Sequence, residues 1–241
     1  FAYLAGMIGM VFVSSSLLRN YPISKPDKET FRSYTQFAMP FLIISIISVL
    51  VIYGDKLVIG YFWSSIEVGQ YAGAQAIIMN LYFIAIAVGY VLFPTMSFHY
   101  SKKAVHKIRM LTYKAERYIS MLIVPLVFII VVFAEEILQL INAALIPAGN
   151  AFRILAVSIL LSSSSNPHGN QVLALNRTAL ALKINIVQVC IMIGGYFIFV
   201  PKKFMGVTLF GLGINGAAFA YLLATGIGFF VSRYFAWKLT R

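Results

Sequence analysis

The sequence has few charged residues, few acidic side chains and a single cysteine. Only 11% of its 241 residues are charged, against roughly 25% in an ordinary soluble domain. A chain with so little charge cannot cover its own surface with polar groups. This composition excludes a disordered chain and an ordinary soluble enzyme. The lone Cys190 cannot form an internal disulfide, which also excludes a disulfide scaffold. It lies in an apolar run and is predicted to be a small buried hydrophobic residue.

The motifs of common catalytic and cofactor sites are also missing. The sequence contains no Cys/His cluster with the spacing of a metal site. It has no phosphate-binding loop and no nucleophile elbow. A serine run precedes His168, but no carboxylate lies within that run to orient the imidazole. We therefore predict a protein that is not an enzyme and that uses neither a cofactor nor a metal.

What the sequence does contain is long apolar runs. Hydrophobic residues make up 61% of the chain and its mean hydropathy is +0.88, which predicts an all-α integral membrane protein. A spanning helix needs roughly 20 apolar residues, and seven segments meet or approach that length. They are Phe1–Leu18, Phe37–Phe62, Ala72–Ser97, Tyr118–Leu138, Phe152–Leu175, Ala179–Val200 and Gly213–Trp237. Pro167, inside the fifth run, predicts a kink or local unwinding there.

The basic residues predict the orientation in the membrane. The net charge of +12 could indicate nucleic-acid binding, but the cations collect in alternate connections between the apolar runs, as positive-inside topology requires. No nucleic-acid partner is therefore expected, and the C-terminus is predicted to be cytoplasmic. The cytoplasmic cations are Arg19, Lys25, Lys28, Arg32, Lys102, Lys103, Lys107, Arg109, Lys114, Arg117, Arg177, Lys183, Arg233, Lys238 and Arg241. The opposite side holds Arg153, Lys202 and Lys203.

The arrangement of the runs predicts part of a larger protein. The sequence begins at Phe1 within an apolar segment, so residues 1–18 are interpreted as the end of the last helix of a preceding N-terminal bundle. Residues 19–36 carry Pro22, Pro26 and mixed charge and are interpreted as a cytoplasmic linker. Residues 37–241 are predicted to form a six-helix bundle. The basic stretch Lys102–Arg117 is predicted to form a short amphipathic helix on the membrane surface.

Polar residues inside the runs are candidates for a substrate cavity, because polar groups in hydrocarbon usually face protein or water. The candidates lie on the third, fifth and sixth runs, and those of the fifth and sixth predict a cavity open to the cytoplasm. They are Gln75, Asn80, Asn166, His168, Asn170, Gln171, Asn185 and Gln188. Asp55 and Lys56 are predicted at the external end of the second run, and Glu135 and Glu136 at the external interface.

A series of short motifs in residues 37–237 is typical of one family. The motifs are Met39-Pro40, Gly54-Asp55-Lys56-Leu57-Val58-Ile59-Gly60-Tyr61-Phe62, Val68-Gly69-Gln70-Tyr71, Leu92-Phe93-Pro94-Thr95-Met96-Ser97, Ala174-Leu175-Asn176-Arg177, Pro201 and Gly213-Ile214-Asn215-Gly216-Ala217-Ala218. In this order and spacing they resemble the polysaccharide-biosynthesis flippases of the multidrug/oligosaccharidyl-lipid/polysaccharide exporter superfamily.

The resemblance implies a transporter of 12 to 14 helices in two bundles around a central cavity. Such proteins move a polyprenyl-(pyro)phosphate-linked oligosaccharide from the cytoplasmic to the outer leaflet of the cell membrane by alternating access. Its peptidoglycan-precursor branch would place an arginine on the run Ala72–Ser97, which has none. Cations for the substrate phosphates must then come from Lys56, Arg153, Lys183 or a region outside this sequence.

Two further functions remain open on the sequence. A cation-coupled multidrug exporter of the same superfamily would carry an acidic site within the membrane and an apolar or aromatic pocket. A membrane-embedded glycan polymerase or ligase would have a large external loop, whereas the external connections here are short. The expected partners are a lipid-linked oligosaccharide, membrane lipids and a coupling ion, H⁺ or Na⁺, and the protein is expected to be a monomer.

Overall fold

The computed structural model describes residues 2–18, 27–204 and 206–240, and nearly all of them are helical. The α-helices are α1 (Ala2–Leu18), α2 (Lys28–Phe62), α3 (Ser65–Ser101), α4 (Val105–Val132), α5 (Ala134–Ile141), α6 (Gly149–Ala174), α7 (Thr178–Phe199) and α8 (Gly213–Leu239). A 3₁₀ helix, Ala143–Ala148, leads into α6. The connection between α7 and α8 holds an antiparallel hairpin of β1 (Lys203–Phe204) and β2 (Val207–Thr208).

Among the described residues, five helical segments are long and apolar enough to cross a membrane: α3, α4, α7, α8, and α6 together with its leading 3₁₀ helix. Large apolar side chains cover their outer surface. Tyr90 on α3 is 77% exposed, Phe128 on α4 is 69% exposed and Phe230 on α8 is 68% exposed. In water such a surface would aggregate. The protein is therefore a multi-pass membrane protein with an all-α fold, as its composition predicts.

The chain divides into two compact units, Phe1–Ser45 and Ile46–Arg241. The first contains α1 and the start of α2. In the second, α6 packs against α3, α4 and α8, while α7 packs on α8. The core of this second unit is built from Ile, Ala and aromatic side chains, with Tyr71, Phe152 and Tyr196 as its largest fully buried members. Thus α6, the helix richest in predicted site residues, lies among three neighbouring helices.

Helix boundaries differ from the predicted ones where polar residues lie at the membrane edge. Because backbone hydrogen bonding continues past the apolar run, α2 already begins at Lys28, within the predicted linker, whose residues 19–26 lie outside the described residues. The prediction of a separate surface helix over Lys102–Arg117 is wrong. A tight turn, with Lys103 at φ 57°, leads directly into α4, and residues 105–117 form its first half.

Three further features depart from the sequence predictions. The run Tyr118–Leu138 is divided at Phe133 into α4 and α5. Glu135 and Glu136 then lie in the first turn of α5, where the helix dipole favours carboxylates. Pro167 does not unwind its helix, since α6 is continuous through it, whereas the predicted kink stays a prediction. Cys190 is exposed on α7 rather than buried, because α8 covers the opposite face of that helix.

Small residues allow α7 and α8 to approach closely. A Cβ atom at Gly195 would lie 2.8 Å from Ala220 Cβ, and one at Gly228 would lie 2.7 Å from the amide of Gln188. Ala220, Ala224 and Gly228 are all buried on α8. This seam of small residues on α8 is thus the contact with α7.

Substituting Gly216 by alanine should destabilise the corner where α7 ends and α8 begins. The added Cβ would lie 2.5 Å from the Phe199 carbonyl oxygen, and this backbone cannot rotate away as a side chain could. Overpacking of this kind costs about 1–3 kcal/mol. The measurement is thermal unfolding in detergent micelles. Gly194→Ala is the matched control, because nothing lies within 4 Å of that site. Equal stability of the two variants would contradict the close approach.

Candidate functional site

The polar residues of α6 face different neighbours. The helix turns by about 100° per residue, so polar positions that follow one another along its second half point in different directions. Asn166 and Asn170, one turn apart, approach α3. His168 and Gln171 approach α4 and α8. The arrangement therefore forms two separate polar contacts, on two sides of one helix.

The contact with α3 is a pair of half-buried amides. Asn170 Nδ2 donates to Asn166 Oδ1 at 2.8 Å and to the Asn166 carbonyl at 3.1 Å. Asn166 Nδ2 lies 3.5 Å from the Tyr82 hydroxyl. A Cβ at Gly89 would come within 2.9 Å of Asn166 Oδ1, so the absence of a side chain at Gly89 is what admits the pair. Paired amides beside a phenol offer both donors and acceptors, which suits a hydroxyl-rich ligand.

The contact with α4 and α8 is charged. Glu116 on α4 accepts a hydrogen bond from Arg233 Nη1 on α8 at 2.5 Å. Its other oxygen, Oε2, lies 3.3 Å from His168 Nε2 on α6. The Glu116 side chain is 14% exposed, that of Arg233 46% and that of His168 only 2%. One carboxylate therefore joins three helices, and we call these three residues the charged triad.

Aromatic rings and amides complete the surroundings of the triad. The His168 ring lies between Tyr113 and Phe229, each with its centroid 6.4 Å away. Both of its ring nitrogens are buried and neither makes a hydrogen bond of good geometry among the described residues, so the Glu116 carboxylate is an electrostatic neighbour of Nε2. One turn further along α6, Gln171 donates to the Ala236 carbonyl at 2.8 Å. This end of the bundle is thus fixed by directional contacts as well as by apolar packing.

A second buried charge lies between α2 and α3. Asp55 has no exposed surface. Its Oδ2 atom accepts from Gln75 Nε2 at 2.6 Å, and its Oδ1 atom lies 3.2 Å from Lys56 Nζ. The Lys56 ammonium also donates to the Ile52 carbonyl at 2.8 Å and to Gln75 Oε1. The Asp55 carboxylate balances the charge of the ammonium, and three acceptors satisfy its three N–H donors, so these residues form one ionic cluster.

The burial of this cluster is not predicted by the sequence. Asp55 and Lys56 are predicted at the external end of the second run, and that position stays a prediction. The Asp55 carboxylate is enclosed by packed helices, near the buried side chains of Tyr71 and Tyr196. The residue that encloses it, Gln75, lies on the next helix. Sequence spacing alone does not reveal that contact.

The remaining predicted residues lie apart from these clusters. Asn80 and Asn185 are exposed, and their amides donate to Ala76 and Ala181 within their own helices. Gln188 lies against Gly228 in the α7–α8 seam. Of the phosphate candidates, Lys183 is exposed. The other two are engaged, Lys56 with Asp55 and Arg153 with Glu135 at 3.2 Å. Their role in substrate binding stays a prediction.

Sequence reasoning missed Glu116 and Arg233 as members of a site. Glu116 stands among basic residues in a stretch interpreted as a cytoplasmic connection, and Arg233 near the end of the last run. A signal was present, because Glu116 is the one acidic residue between Phe98 and Val132. In the described parts of the chain, no three His, Cys, Asp or Glu side chains converge as the ligands of a metal ion would.

Comparison with known proteins gives one family and one fold. A family model described as "Polysaccharide biosynthesis protein" matches residues 1–144. No curated protein matches the sequence significantly. Among solved structures, the chain resembles a mutant of a MATE transporter, with a TM-score of 0.71 and 17% identity over 98% of this chain and 55% of the other. It also resembles an outward-facing multidrug resistance MATE family transporter of the MOP superfamily, with a TM-score of 0.69 and 18% identity over 98% of this chain and 55% of the other. For a MATE in the bent conformation the TM-score is 0.69 and the identity 19%, over 92% of this chain and 48% of the other.

The chain spans about half the length of the MATE transporters that it resembles. At these identities the likeness shows the fold, which is that of one bundle of a two-bundle transporter. The predicted fold class is therefore confirmed. Because the family model covers more than half of the sequence, the chain belongs to the polysaccharide biosynthesis protein family.

Proposed function

We propose that this chain is the C-terminal bundle of a flippase for a lipid-linked oligosaccharide. The flippase moves a polyprenyl-(pyro)phosphate-linked glycan from the cytoplasmic to the outer leaflet of the cell membrane by alternating access, driven by H⁺ or Na⁺, and works as a monomer. The observation that carries this proposal is the match of residues 1–144 to the polysaccharide biosynthesis family. The transporter fold adds support, since a glycan must cross a bilayer to reach the cell surface.

The polar contacts of α6 support a glycan as the transported group. Asn166 and Asn170 are half-buried rather than sealed, and sugar hydroxyls pair readily with amides. The substrate phosphates need cations. Lys183, exposed near the start of α7, is better placed for them than Lys56 or Arg153, whose charges are already compensated by carboxylates. The lipid tail can stay in the bilayer throughout.

The proposed orientation follows from the basic connections. Most of the cations lie at the end of the bundle formed by the α3–α4 turn, the start of α7 and the end of α8, which the positive-inside rule places in the cytoplasm. The opposite end holds Arg153, Lys202 and Lys203. In this orientation the charged triad lies in the cytoplasmic half of the bundle, and the Asp55 cluster lies in the external half.

A cation-coupled multidrug exporter is the second candidate, and a specific observation favours it. Such an exporter needs a membrane-embedded carboxylate, and the structure contains two, Asp55 and Glu116, that are largely shielded from solvent. Each already has a basic partner, Lys56 or Arg233. Compensated carboxylates are less available to a cationic drug or a coupling ion, so we rank the exporter second.

Deleting the gene in its native host should cause lipid-linked oligosaccharide to accumulate while sensitivity to cationic drugs stays unchanged. Mass spectrometry of extracted lipids measures the first quantity and identifies the glycan; growth on a drug panel measures the second. If the amount of lipid-linked glycan is unchanged and drug sensitivity increases, the exporter becomes the proposed function in place of the flippase.

Complementation with variants tests the amide pair in the same strain. The double substitution Asn166→Ala with Asn170→Ala should restore flipping poorly. Asn80→Ala should restore it fully, because the Asn80 amide is exposed and bonds only its own helix. Full restoration by the double variant, at normal protein abundance, would remove the amide pair from the proposed substrate site and leave the flippase function standing.

A further inference from the structure

The outward face of α4 changes character halfway along the helix. Its first half exposes Lys107, Lys114 and Arg117, and the turn before it exposes Lys103. We call these four residues the basic face. Beyond Arg117 the exposed side chains are apolar: Tyr118, Met121, Leu122, Val124, Leu126, Phe128, Ile129 and Val132. A surface that is cationic at one end and apolar at the other matches the charged headgroup and the acyl chains of an anionic phospholipid.

The basic face lies opposite the side of α4 that packs into the bundle. The buried side chains of the first half, Ile108, Thr112, Ala115 and Ile119, recur every three or four residues and form one stripe. At 100° per residue, the three basic positions within α4, Lys107, Lys114 and Arg117, fall 100° to 180° away from that stripe. The cations therefore point away from α6 and its polar residues, toward the exposed surface of this bundle.

Among the described residues, no carboxylate forms an ion pair with the basic face. Glu116 is the one carboxylate between Phe98 and Val132, and Arg233 and His168 already engage it. The other nearby cations rest on aromatic rings, with Lys102 Nζ 4.2 Å from the Phe98 centroid and the Arg109 guanidinium 5.7 Å from that of Tyr113. A cluster of like charges in this position needs an external anion.

The length of α4 places the basic face at the headgroup level. Its 28 residues extend about 42 Å at 1.5 Å per residue, and the hydrocarbon layer is about 30 Å thick. If the apolar end at Val132 marks one boundary, the other falls near Tyr113. Lys103 and Lys107 then lie in the headgroup layer, and Lys114 and Arg117 reach it by extending along the helix.

We propose that the basic face of α4 binds the phosphate headgroups of anionic phospholipids, whose acyl chains lie on the apolar half of the same helix. Charge complementarity and the depth of the cations carry this assignment. The site lies on the exposed face of α4, away from the polar residues of α6. Its effect is to fix the depth and tilt of α4, on which the charged triad depends through Glu116.

Native mass spectrometry of the purified full-length protein tests the site. The protein in detergent is titrated with phosphatidylglycerol or with phosphatidylcholine, and bound lipids are counted. Lys107→Gln combined with Lys114→Gln should weaken phosphatidylglycerol binding about thirtyfold and leave phosphatidylcholine binding unchanged. The matched control is Lys202→Gln with Lys203→Gln, which removes the same charge from exposed lysines at the opposite end. This control should bind phosphatidylglycerol like the wild type.

Three outcomes would overturn the proposal. The first is equal weakening by both double variants, which would reflect overall charge. The second is equal binding of the two lipids by the wild type. The third is displacement of phosphatidylglycerol by micromolar inorganic pyrophosphate, with the same dependence on Lys107 and Lys114, which would assign the site to a free phosphate ligand. The substitutions lie on an exposed surface, so unchanged melting temperatures should accompany the expected result.

Discussion

Replacing Asp55 by alanine should lower the stability of the bundle by about 3 kcal/mol, the size of effect seen when one member of a buried ion pair is removed. The Asp55 carboxylate is fully buried, and two side chains depend on it. Its loss leaves the Gln75 amide without its 2.6 Å acceptor and the Lys56 ammonium without its counter-charge. A thermal melt of the full-length protein in detergent should show a decrease of several degrees.

A second substitution separates the effect of losing the ion pair from the effect of losing the Asp55 side chain. Removing the ammonium as well, by Lys56→Met in the Asp55→Ala background, should recover part of the stability, because no unpaired charge then remains. Asp55→Asn keeps the shape and an acceptor for Gln75, and should fall between wild type and Asp55→Ala. Strict additivity of the Asp55 and Lys56 substitutions would show that the two residues do not interact.

Glu116→Ala should lower the free energy of unfolding by about 2 kcal/mol, the second large effect that we expect. It should also impair complementation of the deletion strain. It removes the side chain that joins α4 to both α6 and α8, and it leaves the buried His168 without the carboxylate 3.3 Å away. An unsatisfied buried polar group costs about 1–3 kcal/mol. Unfolding in detergent and the accumulation of lipid-linked glycan are the two measurements.

Substitutions of the charged triad should lower the stability of the protein by different amounts, in a defined order. Arg233 is 46% exposed, so Arg233→Ala removes a partly solvated pair and should cost less than about 1 kcal/mol. Glu116→Gln, which keeps the shape, should fall between the two alanine variants. Glu136→Gln is the control, because that carboxylate is exposed on α5. If Arg233→Ala destabilises the protein more than Glu116→Ala does, the carboxylate is not the centre of the triad.

The sequence predicts the helices well and their contacts poorly, for physical reasons. An apolar run of 20 residues has few alternatives to a spanning helix, so the described residues of the seven predicted runs are nearly all helical, with a break at Phe133 inside the fourth run. The sequence locates the helix ends less closely, as α4 shows. Its first turns are polar and are predicted as a separate surface helix, yet they continue into the spanning helix because water and headgroups solvate side chains without competing strongly for backbone bonds.

The candidate site depends on pairings between distant residues. Gln75, His168 and Gln171 could be recognised as polar residues in apolar runs. Their partners, Asp55, Glu116 and the Ala236 carbonyl, are set by how the helices pack. Glu116 and Arg233 are 117 positions apart, and periodicity carries no information on such a pair. The positions of Asn80 and Asn185, which face outward, are unpredictable for the same reason.

The ionic cluster of α2 also bears on how the chain enters the membrane during synthesis. Asp55 and Lys56 are adjacent in sequence, and the ammonium additionally contacts the Ile52 carbonyl one turn earlier. These contacts need only a helical α2, so the two charges can neutralise each other before α3 has been translated. An isolated Asp or Lys at the centre of a helix resists insertion by about 3 kcal/mol. Local pairing reduces that barrier, and Gln75 then closes around the carboxylate once α3 has followed.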